Sequence, residues 1–151
     1  MNDIDVADLY QELIVDHSRR PRNFRRLEDS THKAEGFNPL CGDRVRVYLN
    51  LEGEVVRDVS FEGEGCAISK ASASLMTESV KGKTKAEVER LFSRFRDLAT
   101  GAVDADLAAL GKLAAFSGLR GFPARVKCAT LAWHTLRAAF EKKVGTVSTE
   151  S

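Results

Sequence analysis

The sequence predicts an α+β fold: a small antiparallel sheet of two to three strands, covered on one face by an N-terminal helix and several C-terminal helices. Three observations predict it. Residues 44 to 51 alternate, with Val45, Val47, Leu49 and Leu51 set against Arg44, Arg46, Tyr48 and Asn50. That period of two is the mark of a half-buried strand. Glu52-Gly53-Glu54 then turns the chain into a second, antiparallel run from Val55 to Gly63. From Ile68 onward the apolar spacing becomes helical.

Taken in order, Val6, Leu9, Tyr10, Leu13 and Ile14 form one face of a helix over residues 3 to 17. Pro21, in "SRRPRNF", ends it because proline cannot continue the ladder. Residues 24 to 40 are mixed, contain Gly36 and Pro39, and read as loop with room for one short strand. After the hairpin, Gly63 and Gly65 loosen the backbone around Cys66. Ile68, Ala71, Leu75, Met76 and Val80 line a helix rich in small residues, stopped by Gly82. Thr84 and Glu87 form a capping box for a helix presenting Val88, Leu91, Phe92 and Phe95. Asp104 to Phe116 reads as a further helix with Leu107, Leu110 and Leu113, broken by "SGLRGFP". Pro123 suits the first turn of a last helix to about Lys142, with Val126, Thr130, Trp133, Arg137 and Phe140 along one side. The reading is one domain over residues 1–145 and a flexible tail over 146–151.

A chain of 151 residues is long enough for a real core. Its 23 Lys and Arg against 22 Asp and Glu leave a net charge of +1. Nothing there supplies the clustered cations that hold nucleic acid or an anionic membrane. Arg19, Arg20, Arg22, Arg25 and Arg26 read as a surface patch. No apolar run approaches the roughly 20 residues of a membrane helix. The acidic start, "MNDIDVADLY", lacks a secretory pattern, so a cytoplasmic location is expected. The cysteines, Cys41, Cys66 and Cys128, are odd in number and widely spaced. In a reducing compartment that argues against a disulfide framework and leaves inert core thiols, reactive thiols or metal ligands.

Cys41 and Asp43 stand two apart where the first strand begins, so their side chains share a face. Gly42 between them permits a tight bend. Cys66 follows the second strand, and in an antiparallel pair the start of one strand lies beside the end of the other. Cys41, Asp43 and Cys66 therefore converge at one edge. Cys128 lies within about two turns of the last helix's start, where unpaired N–H groups favour a thiolate. If that end docks on the hairpin edge, three thiolates and one carboxylate form a tetrahedral set suited to zinc. The set would be net negative, and Arg125, Lys127 and Lys70 are available to offset it. Each thiol also has a plain reading as buried core, because cysteine packs as a small apolar residue. His17, His32 and His134 read as structural or surface groups.

The stretches "LYQELIVDHSRRPRNF" (9–24), "NPLCGDRVRVYL" (38–49), "FEGEGCAISKASASLMTESVKGKT" (61–84) and "RVKCATLAWHTL" (125–136) resemble the U-type iron–sulfur cluster assembly proteins, in their SufU branch. They cover most of the chain. The resemblance implies a SufE/NifU-like α+β domain of the IscU/NifU N-terminal superfamily. It implies zinc on Cys41, Asp43, Cys66 and Cys128. It also implies a partner, a SufS-type cysteine desulfurase dependent on pyridoxal phosphate, whose persulfide sulfur Cys41 would accept as an accessory sulfurtransferase. Downstream scaffold or recipient proteins would follow. The alternative is a scaffold on which the same ligands hold iron or a [2Fe–2S] cluster. Two departures from the IscU type favour sulfur transfer. The stretch between Cys66 and Cys128 is long, and Lys127, preceded by "GFPARV", stands where that type has a histidine just before its last cysteine.

Overall fold

The alternation around Val45 and Val47 becomes a ten-residue strand in the computed structural model, which describes residues 6–101, 107–141 and 146–148. Three strands follow one another: β1 (His32–Asn38), β2 (Asp43–Glu52) and β3 (Val55–Glu64). β2 is antiparallel to both neighbours. A fourth short strand, β4 (Thr146–Ser148), runs parallel to β1, giving the order β3-β2-β1-β4. Two expectations change here. The segment read mainly as loop holds a full seven-residue strand, in which Ala34, Gly36 and Asn38 are buried in alternation. A glycine and an asparagine on the inward face hid that period from a reading based on hydrophobicity. The other change is at the end of the chain, where three residues of the expected tail pair with the sheet.

Helix α1 (Val6–Arg19) precedes the sheet, and α2 (Ala67–Val80), α3 (Lys85–Thr100), α4 (Leu107–Leu110) and α5 (Pro123–Phe140) follow it. Thr84 caps α3 with the reciprocal Glu87 bond that the spacing predicts. The helix expected over Asp104–Phe116 is different. Residues 102–106 lie outside the described residues, α4 is one turn long, and Gly111–Gly121 winds as a 3-10 helix. Gly111 takes φ +56, a left-handed conformation that interrupts the i→i−4 ladder.

α5 lies on β1 and β2, and α2 lies on β3 and α5. A methyl group at Gly36 would collide with Thr135 Oγ1 of α5. The glycine therefore lets helix and strand approach closely. Serines and alanines do the same between helices, where Ser72 Oγ donates to the Ala129 carbonyl at 2.5 Å. Trp133 is fully buried, stacked on Phe92 and Phe95 with centroids 5.6 and 5.1 Å away.

Between α1 and β1 the chain first pairs with the outer edge of β3. Phe61 N–H donates to the Asn23 carbonyl and Arg25 N–H to the Phe61 carbonyl, both at 3.0 Å. Arg25 then bonds Asp58 and Thr31 N–H bonds Asn50 Oδ1. Asp58 and Asn50 pair across β2 and β3 next to buried Val59 and Leu49, so they point away from the helices. Residues 26 to 30 thus cross the sheet on its polar side.

Candidate metal centre

β1 ends at Asn38 and β2 begins at Asp43, so the chain reverses in Pro39–Gly42. Gly42 sits at φ +72, and its N–H donates to the Asn38 carbonyl at 2.9 Å. That turn holds Cys41 out at the surface. Asp43 has no exposed surface and faces inward with Val45. Cys66 follows β3 as the N-cap of α2, and its sulfur accepts the Ser69 N–H at 3.4 Å. Its own N–H donates to Asp43 Oδ1 at 2.9 Å. A Cβ at Gly65 would strike that same oxygen, so glycine is what lets the loop close over the carboxylate.

α5 starts with Pro123 in its first turn and carries Cys128 inward, 2% exposed. Cys128 Sγ lies 3.0 Å from Cys41 Sγ. The ligand atoms of Cys41, Asp43 and Cys128 all lie within 4.8 Å of one another. Cys66 Sγ stands beside this group, 3.9 Å from Asp43 Oδ2. All four residues meet at one end of the sheet. Three form the tight cluster, and the sulfur of Cys66 rests at its helix cap.

Burial pushes the Cys128 thiol far above the ordinary cysteine range, and hydrogen bonding to Cys41 and Asp43 pushes the same way. A buried carboxylate facing thiols is unfavourable unless something positive joins them. The donor set, soft sulfur with one hard oxygen, suits zinc or iron. The residues therefore fit the metal that the resemblance implies. Of the cations expected to offset the charge, Arg125 sits over the Phe122 ring at 5.5 Å and Lys70 over Phe24 at 5.8 Å, each head resting on an aromatic face.

The histidines lie apart from the cluster. His17 is buried, with Nδ1 2.7 Å from Ser74 Oγ of α2. His134 lies edge-on to Phe92 at 5.0 Å, and His32 opens β1 beside Thr31 Oγ1. One residue of the site escaped the sequence reading. Asn38 is fully buried, and its Nδ2 lies 3.6 Å from Cys128 Sγ. The only available signal was asparagine two positions before the Leu40 amide it caps, an Asx turn at the head of "NPLCGD".

With this geometry in hand, comparison with known proteins is specific. The family model of the NifU-like N-terminal domain matches residues 9–142. The chain is 44% identical over 141 residues to the zinc-dependent sulfurtransferase SufU of Bacillus subtilis, covering 93% of this chain and 95% of that protein. It is 40% identical over 134 residues to the iron–sulfur cluster assembly scaffold protein IscU of Thermotoga maritima, covering 89% and 94%. Among solved structures, a Fervidobacterium islandicum protein described as an iron–sulfur cluster assembly scaffold for the SUF system superposes with a TM-score of 0.82. That match has 36% identity and covers 90% of this chain and 99% of the other. Matched over most of its length, and with the fold shared as well, the chain belongs to the NifU-like N-terminal domain family.

Proposed function

We propose that this protein is a cytoplasmic, zinc-binding sulfur acceptor that works in iron–sulfur cluster assembly with a pyridoxal-phosphate-dependent cysteine desulfurase. The observation that carries this reading is the meeting of Cys41, Asp43 and Cys128 within 4.8 Å, with Cys66 beside them. The sulfurtransferase name of the Bacillus subtilis relative supports the same reading. Cys41, Asp43, Cys66 and Cys128 hold the zinc. Bound zinc keeps its thiol ligands deprotonated at neutral pH.

The chain's own residues then divide the work. Cys41 is the acceptor: it is exposed on a turn, whereas Cys128 is 2% exposed inside a helix and Cys66, though exposed, has its sulfur engaged by the Ser69 N–H at the α2 cap. The Cys41 thiolate attacks the outer sulfur of the desulfurase persulfide. A new S–S bond forms on Cys41, the old S–S bond breaks, and the desulfurase cysteine leaves as its thiolate. No net oxidant is consumed. The exposed Leu40 and Phe122, 56% and 55% exposed, flank this chemistry in sequence and give a partner apolar surface to cover.

Cys41→Ala is the direct test. Stimulation of the desulfurase is expected to vanish while the circular dichroism spectrum stays native, and full stimulation by the variant would exclude the assignment. The scaffold named in the Thermotoga relative supports a second reading, a [2Fe–2S] cluster on the same ligands. Anaerobic reconstitution separates the two. A coloured protein that gives up zinc readily supports the scaffold, and zinc that resists iron supports sulfur transfer.

A further inference from the structure

We infer that Asn38 is a positioning residue for the Cys41–Cys128 pair: its amide nitrogen holds the buried sulfur while its oxygens set the turn that carries the exposed one. The inference rests on the reading of this cluster as a metal-binding sulfur acceptor. Asn38 is the last residue of β1, lies opposite Asp43 in the ladder and has no exposed surface. Its main-chain oxygen accepts the Gly42 N–H at 2.9 Å. Its side-chain Oδ1 accepts the Leu40 N–H at 3.2 Å. The two amides flank Cys41 in sequence, so both neighbours of the acceptor are tied to this one residue. Its Nδ2 crosses from sheet to helix and donates to Cys128 Sγ at 3.6 Å.

A buried primary amide is unfavourable unless its donors and acceptor are used. The other inward positions of β1 are Ala34 and Gly36, small and apolar. An amide at the third therefore needs a reason, and the bonds to the turn and the thiol supply it. A hydrogen bond donated to a thiolate draws electron density from sulfur, which stabilises the anion and lowers its nucleophilicity. The donation reaches Cys128, the sulfur meant to stay. Cys41 is left the stronger nucleophile, on a turn whose position Asn38 fixes. Asn38 thereby helps decide which thiol holds metal and which attacks.

Two substitutions separate the halves of this role. Asn38→Ser keeps a short oxygen that accepts the Leu40 amide, as in an ST turn, and loses the reach to Cys128. Asn38→Ala loses both. Cobalt(II) is loaded in place of zinc to read the sulfur-to-metal charge-transfer band, zinc affinity is measured by chelator competition, and Cys41 alkylation is timed in metal-free protein. Both variants are expected to move the band to lower energy and to weaken zinc about 10- to 100-fold. Only Asn38→Ala is expected to change the Cys41 alkylation rate. A wild-type band and affinity in folded Asn38→Ser overturns the inference. So does unfolding of that variant, because a positioning role leaves the core intact. If wild-type protein itself binds neither cobalt nor zinc through thiolates, the functional reading fails instead, and the two failures are told apart.

Discussion

Asp43 is held at one oxygen by the Cys66 amide, at 2.9 Å, with Gly65 leaving just enough space beside it. Gly65→Ala puts a methyl group where Oδ1 now lies, so the carboxylate must turn or the loop must lift. Zinc affinity should fall about tenfold or more, as when an outer contact of a metal ligand is disturbed. Chelator competition measures it, and unchanged affinity would remove Asp43 from the ligand set. Cys41 meets Asp43 through the left-handed Gly42 turn and not through the strand period expected to set them on one face. The approach of Cys66 to Asp43 was readable because hairpin geometry acts over a few residues. Asn38 was not, since an asparagine before a proline looks like any loop residue until the helix above it is placed.

At the scale of elements, α1 is fastened to α2 through a buried histidine. Ser74 Oγ accepts the Arg22 N–H at 2.8 Å and lies 2.7 Å from His17 Nδ1, while His17 Nε2 stands 3.8 Å from Glu78. A neutral ring protonated at Nε2 satisfies these partners. Burial first, and Arg22 second, hold the His17 pKa below its ordinary 6.5. His134 is depressed as well, again mainly by burial. The unfolded chain therefore takes up protons that the folded one refuses. Stability is fully present above pH 6.5 and declines as pH falls below it, by at most about 1.4 kcal/mol per pH unit for each histidine. Urea titrations at about pH 7.5 and 5.5 should show this loss, and it should be smaller in His17→Gln. An equal loss in the variant would remove His17 as a source. The helices themselves were legible where a cap or an apolar face marks them, as at Thr84 and Glu87. The stretch after Leu110 was not, because its leucines fit either helical period and only the left-handed Gly111 decides between them.

For the molecule as a whole, core and metal cluster are distinct sources of stability. Trp133, Phe95 and Phe116 are fully buried, pack ring against ring and need no ion to do so. Stripping zinc with a chelator should lower the melting temperature yet leave a folded, cooperatively melting chain. Metal at a thousand times its dissociation constant adds about 4 kcal/mol. Unfolding on chelation at room temperature would instead make the ion a structural staple. The α+β layout was legible from the order of periods along the chain. The docking of α5 was only a condition in that reading. It depends on Gly36 admitting Thr135, a contact between positions about a hundred residues apart that no local pattern encodes.

The way residues 23 to 25 lie along β3 has a wider effect. An exposed strand flank recruits other chains, whether as partners or as the first step of fibril growth. Here the middle of one flank is stitched to Asn23 and Arg25, and the opposite flank is occupied by Thr146–Ser148. A visiting strand that would extend β3 therefore meets chain already in place, while the tip where the sulfurs gather presents Cys41 at the surface.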